Sequence, residues 1–220
     1  HYIVYRHERS KVREEKKQET LEKLEEEGIM ITASSGKQER FDESRVRKTL
    51  AEAAQGLEKD IDIDALLHQL RFELYEGMPA DEIGRALIMV VRSTIELDPA
   101  YSKLASRLVL NRLYKEVFGA DYDSANPLAA HEKVFTRNME RLVKEGNLDE
   151  RMAEFDLGKL ARAMVVERDQ LFEYMGLEIM VSRYCMEDPK AKKTLETPQM
   201  FWMRVAMGLA IAEKPEEREA

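Results

Sequence analysis

Residues 194–213, read Thr-Leu-Glu-Thr-Pro-Gln-Met-Phe-Trp-Met-Arg-Val-Ala-Met-Gly-Leu-Ala-Ile-Ala-Glu, constrain the fold more than any other stretch. Thr197 followed by Pro198 reads as a helix start. The hydroxyl caps free N–H groups, and proline fits the first helical position because its missing N–H is not needed there. Between residues 201 and 212 the only charged side chain is Arg204. A helix with no polar stripe is normally surrounded by protein, so the expectation is a central core helix. It is too short to cross a bilayer, which takes roughly 20 residues. Either the preceding residues supply the surface it packs against, or the chain is one piece of a larger protein.

The rest of the composition points to helices. A chain of 220 residues is long enough to bury a core. Charged residues make up 35%, with only 10 Gly and 6 Pro, which favours a mainly α fold over a turn-rich one. The net charge of −8 argues against general nucleic-acid binding, which needs a basic surface to displace counterions. Cys185 is alone, so no disulfide framework and no cysteine zinc site can form within the chain, and a reducing, cytoplasmic setting is expected. No signal sequence or membrane span is visible. His1 is not a natural start, so the N-terminus is expected to be processed, truncated or trimmed.

In chain order, Tyr2, Ile3 and Tyr5 read as the buried end of a helix, and residues 11–27 as a charged helix or linker. Residues 28–41 change character. Ile29, Met30 and Ile31, then a small-residue turn with Gly36, then residues 37–41, predict a hairpin. Asp42 caps a helix that buries Val46, Leu50, Ala53 and Ala54 and stops at Gly56. Asp62 or Asp64 opens a second helix ending at Glu76-Gly77, and a third spans residues 79–97, broken by Asp98-Pro99. A fourth covers residues 101–118, stopped by Gly119. A polar helix over residues 128–145, a shorter one over 156–165, an aromatic- and methionine-rich run to Cys185 and a basic turn at residues 190–193 complete the order.

Signals for chemistry are sparse. His1, His7, His68 and His131 lack metal-ligand spacing, and there is neither a phosphate-cradling Gly-rich loop nor a nucleophile elbow. The carboxylates read as solvated helix faces. Glu167-Arg168-Asp169 reads as a charge-paired turn that positions the aromatic run, and Cys185 as a small buried hydrophobe. The residues by themselves describe a helical regulatory or interaction segment without an active site.

A family likeness is carried by particular motifs. Ile31-Thr32, Gly36, Glu39-Arg40-Phe41-Asp42, Tyr75-Glu76-Gly77, Pro99-Ala100-Tyr101, Leu104-Ala105-Ser106-Arg107-Leu108 and Leu113-Tyr114-Lys115-Glu116 resemble an ATP-cone domain. Glu167-Arg168-Asp169, Phe172-Glu173-Tyr174-Met175-Gly176, Arg183-Tyr184 and the run from Glu196 to Ala210 resemble the N-terminal helical region of the class I ribonucleotide reductase large (alpha) subunit. Residues 2–17 are similar to the closing helix of another ATP cone. The resemblance implies three parts. Residues 1–27 would end a preceding cone and add a charged linker. Residues 28–119 would form a small β-hairpin cap on a four-helix ATP-cone-like bundle. Residues 120–220 would be a helical region leading to a catalytic barrel that is not in this chain.

The departures from the cone pattern matter as much. Where cones usually carry a Lys-Arg pair at the hairpin turn, this chain has Ala33 and Ser34, and the polar residues that start the third helix fall on Ala80 and Gly84. Charge-assisted hydrogen bonds to phosphate are worth about 1.5–3 kcal/mol each, so losing two of them weakens binding by orders of magnitude. What the resemblance leaves as a remnant nucleotide site is Ile31, Thr32, Glu39, Arg45 and Lys115. The expectation is a degenerate cone kept for assembly. ATP or dATP with magnesium would then be allosteric ligands of the intact protein, with none bound by this segment.

By the same resemblance the intact enzyme reduces ribonucleoside diphosphates for deoxyribonucleotide synthesis. Its partners are further large subunits and a radical-carrying small subunit, with no nucleic acid and no membrane. This segment lacks the family's catalytic cysteines and is expected to be inactive alone. Two alternatives stay open: a functional ATP/dATP-binding allosteric module, or a helical interaction adaptor that presents residues 197–212 as an exposed face. A cone-bearing transcriptional regulator would need a zinc ribbon and a basic face, and the sequence has neither.

Overall fold

The computed structural model describes residues 28–33, 35–122, 126–215 and 217–218. The readings of Tyr2, Ile3, Tyr5 and residues 11–27, and Ser34 at the hairpin turn, lie outside the described residues. The fold is mainly α with one small sheet. It divides into two compact units between Ala105 and Ser106.

The first unit begins with the hairpin. β1 (Met30–Thr32) pairs antiparallel with β2 (Gln38–Arg40), Ile31 opposite Glu39. Gly36 turns the chain at φ +80°, a conformation that costs a glycine little and a side-chain-bearing residue more. α1 (Glu43–Ala53) follows, its N-terminus capped by Asp42, whose carboxylate accepts from the Ser44 N–H. α2 (Ile63–Arg71) is capped in the same way by Asp62 and buries Leu66, Leu67 and Leu70. β3 (Met78–Pro79) runs parallel to β1, so the sheet order is β2-β1-β3. α3 (Ala80–Ser93) packs Ile83, Leu87, Val90 and Val91 inward.

Helix ends differ from the sequence expectation most in α2 and α3. α2 stops at Arg71 instead of reaching Gly77, because residues 72–74 wind into turns and Met78 is taken by the strand pairing with Ile31. Periodicity cannot show a two-residue parallel strand. α3 stops at Ser93 instead of residue 97. Thr94 is buried and its hydroxyl donates to the Val91 carbonyl, tightening the chain into turns before Asp98-Pro99.

α4 (Ala100–Phe118) crosses the division between the units. In the second unit, α5 (Pro127–Lys144) starts with Asn126 as cap and Pro127 at the first turn, and buries His131, Val134, Phe135, Asn138, Met139 and Leu142. α6 (Leu157–Arg162) is capped by Asp156. A 3₁₀ segment, Val166–Leu171, leads to α7 (Tyr174–Arg183). The basic turn is a closed strap. Asp188 N–H donates to the Lys193 carbonyl, and a bridge joins Glu187 to Thr194. α8 (Pro198–Ala210) completes the unit, with the Thr197 hydroxyl accepting from the Met200 N–H.

The core-helix reading of residues 197–212 needs correcting. α8 buries one face, through Pro198, Met200, Phe201 and Met207, while Trp202 is 50% and Leu209 80% exposed. The second unit supplies packing surface for that face alone. A helix apolar all round is left with its other side uncovered in this segment.

Candidate functional site

The sequence-derived nucleotide remnant is placed as follows. Ile31 is buried in β1. The Thr32 hydroxyl donates to the Gly77 carbonyl at 2.9 Å and accepts from the Gln38 side chain at 3.0 Å, so it stitches the three strands together. Arg45 meets Glu39 at 3.2 Å and Asp42 at 3.5 Å, all on an exposed surface. Thr32, Glu39 and Arg45 thus lie on one small sheet and the helix after it, engaged with protein partners. Lys115 is exposed on α4 in the second unit. Among the described residues no group of His, Cys, Asp and Glu side chains could hold a metal ion.

The densest polar arrangement is elsewhere, at the N-terminus of α8. Asp169 is fully buried. Its carboxylate accepts from the Tyr114 hydroxyl at 2.9 Å and from the Gln199 N–H at 3.0 Å. His131, also fully buried, places Nδ1 2.8 Å from the Pro127 carbonyl and Nε2 3.1 Å from the Thr197 hydroxyl. A carbonyl only accepts, so Nδ1 carries the proton, and Nε2 accepts from Thr197. Asp169 Oδ2 stands 4.0 Å from His131 Nε2, too far for a hydrogen bond.

Electrostatics follow from burial. Loss of solvent raises the Asp169 carboxyl from 3.8 to about 7, against the lowering effect of the Tyr114 and Gln199 hydrogen bonds. The same loss lowers His131, with the Pro127 bond pulling the other way. Burial raises the Tyr114 hydroxyl, so it stays a donor. The cluster is therefore a neutral imidazole, a protonated phenol and a carboxyl that titrates near neutrality. It fastens the first turn of α8 by two acceptors, Thr197 and Asp169.

A second knot holds the strap. Arg204 on α8 grips both oxygens of buried Glu196 and donates to the Tyr184 carbonyl at 3.2 Å. Glu196 also accepts from the Met186 N–H at 2.9 Å. Glu116 receives the Thr194 N–H at 2.6 Å, and the Asn138 amide donates to the Leu195 carbonyl at 2.8 Å. Beside this knot, burial is the main cause that pushes the Cys185 thiol up to about 12, which keeps it protonated and a poor nucleophile.

Asp169 corrects the reading of Glu167-Arg168-Asp169 as a charge-paired turn. Its partners are a phenol and a backbone amide, because the 3₁₀ segment turns it inward toward α8. Asp169 and Glu196 also depart from the expectation that carboxylates lie on solvated faces. The signal for Glu196 was its position immediately before the Thr-Pro cap; His131 and Asp169 left none that spacing could reveal.

The family-model match falls within this second unit. Residues 170–220 match the family model described as ribonucleotide reductase, all-alpha domain. The chain is a member of the ribonucleotide reductase family. More closely, it corresponds to the N-terminal part of the large, alpha subunit. It is 35% identical over 220 residues to the ribonucleoside-diphosphate reductase subunit alpha of Chlamydia trachomatis serovar D, covering 97% of this chain and 20% of that protein. It is 32% identical over 214 residues to the subunit alpha of Chlamydia pneumoniae, covering 96% and 20%. Against the subunit alpha of Helicobacter pylori strain 26695 the identity is 30% over 189 residues, covering 83% and 22%. The chain thus spans about a fifth of the length of the first two relatives. No helix among the described residues is long and apolar enough to cross a membrane.

Proposed function

We propose that this chain is a regulatory and scaffolding segment of a ribonucleoside-diphosphate reductase, in which residues 28–119 form an ATP-cone-like domain that has lost nucleotide binding and serves subunit assembly. The observation that supports it is the state of the hairpin. Ala33 stands at its turn, and the nearby Arg45 is engaged by Glu39 and Asp42. A bound triphosphate is satisfied by converging donors and positive charge. With Ala33 at the turn and Arg45 held by two carboxylates, the hairpin offers a triphosphate fewer such groups. In the intact protein, ATP or dATP with magnesium would be sensed elsewhere. The reaction would be reduction of ribonucleoside diphosphates with a radical-carrying small subunit, and large subunits would associate with one another.

The adaptor alternative gains one observation, the exposed side of α8 at Trp202 and Leu209. On the reductase reading the remainder of the large subunit covers that side. Quenching of Trp202 by acrylamide in the intact subunit separates the two, since the adaptor reading requires it to stay accessible.

Thermal unfolding with and without ATP or dATP and magnesium tests the main reading. A ligand at about 100 times its Kd adds about 2.7 kcal/mol, several degrees in a chain of this size. The expected result is no shift for the natural chain and a measurable one for Ala33→Lys with Ser34→Arg. A concentration-dependent shift in the natural chain would overturn the loss of binding.

A further inference from the structure

The first unit carries a groove that the nucleotide reading does not use. It lies between α2 and α3 and encloses about 920 Å³. Phe72, Met78 and Val90 form its floor, with Tyr75 48% and Met89 67% exposed along its walls. On α3 it follows Glu82, Ala86, Met89 and Ser93, one stripe at helical spacing that extends roughly 16 Å at 1.5 Å per residue. Ala80 and Gly84, the positions matched to the cone's nucleotide contacts, are not among its lining residues.

Carboxylates outnumber cations at the rim. Glu73 and Glu82 line it, and Glu82 is oriented by a 2.7 Å hydrogen bond from the Tyr75 hydroxyl. Arg85, the one basic residue of the lining, is paired with Asp81 at 2.6 Å. An elongated apolar floor with exposed thioether and aromatic walls suits an amphipathic helix, and carboxylates flanking the floor select cationic residues beside its apolar stripe.

We infer that this groove docks a basic amphipathic helix of a partner protein, its apolar residues on Phe72 and Met89 and its cations toward Glu73 and Glu82. Its occupancy does not depend on whether the hairpin holds nucleotide.

Fluorescence anisotropy with the full chain tests it. The probe is a labelled synthetic helix with Leu at every third or fourth position and Lys elsewhere; a matched helix with Glu in place of Lys is the comparison. The Lys helix binds saturably and the Glu helix does not. Met89→Glu, a change at an exposed position, weakens the Lys helix by about tenfold or more, and Glu73→Lys with Glu82→Lys reverses the preference. Circular dichroism confirms that the variants remain helical. Equal binding to Met89→Glu, an unreversed preference in the double variant, or no saturable binding overturns the assignment. Self-association of the chain that Met89→Glu abolishes would overturn it in favour of a second copy.

Discussion

Replacing Asp169 by asparagine should change how the stability of the chain depends on pH. In the folded protein the Asp169 carboxyl is raised from 3.8 to about 7 by burial. The folded state therefore holds this proton more tightly than the unfolded chain does. Its contribution is fully present below about pH 4 and is lost as pH rises through about 7. A shift of about three units at about 1.36 kcal/mol each amounts to about 4 kcal/mol. Asparagine keeps an oxygen to accept the Gln199 N–H and does not ionise, so Asp169→Asn removes this dependence. His131 works the other way. Its lowered folded pKa costs stability as pH falls below 6.5, but it is present in both proteins and largely cancels in their difference. Urea unfolding from pH 5 to 8, followed by ellipticity of the second unit's helices, gives that difference directly. The variant should gain on the natural chain as pH rises, by a few kcal/mol in all. A constant difference, or a natural chain that gains on the variant as pH rises, would contradict the raised Asp169 carboxyl, and the account of the cluster would be wrong.

Other perturbations follow from the same geometry. Thr197→Ala removes the α8 cap and strands His131 Nε2, and should cost about 1–3 kcal/mol in denaturant unfolding; Thr197→Ser should restore most of it. Glu196→Ala leaves Arg204 without its carboxylate in a largely buried site and should cost about 3–5 kcal/mol, with proteolysis appearing first in the strap at residues 184–197. Glu39→Ala breaks only an exposed pair with Arg45 and should shift the unfolding midpoint by less than about 1 kcal/mol.

Much of the fold was legible in the sequence because local chemistry fixes it. Asp42, Asp62 and Thr197 cap helices as their positions in the sequence predict, and capping needs only a short polar side chain at the right offset. The hairpin was readable from its β-prone runs and Gly36. What stayed hidden depends on residues far apart. β3 is two residues long and exists because Met78 pairs with Ile31. Asp169 is buried only because Tyr114 and Gln199, 55 and 30 residues away, converge on it. The exposure of Trp202 and Leu209 was misread for a different reason. Periodicity reports that a helix can be covered all round, and says nothing about whether the covering surface lies in the same segment.

The proposal for the candidate site rests on whether the hairpin can still hold a nucleotide. Calorimetric titration of this chain with ATP, and then with dATP, in the presence of magnesium asks that directly. The account predicts no heat of binding beyond dilution for either nucleotide. Saturable micromolar binding would mean that the chain holds nucleotide without the missing cation pair, and the reading of a degenerate cone would be contradicted.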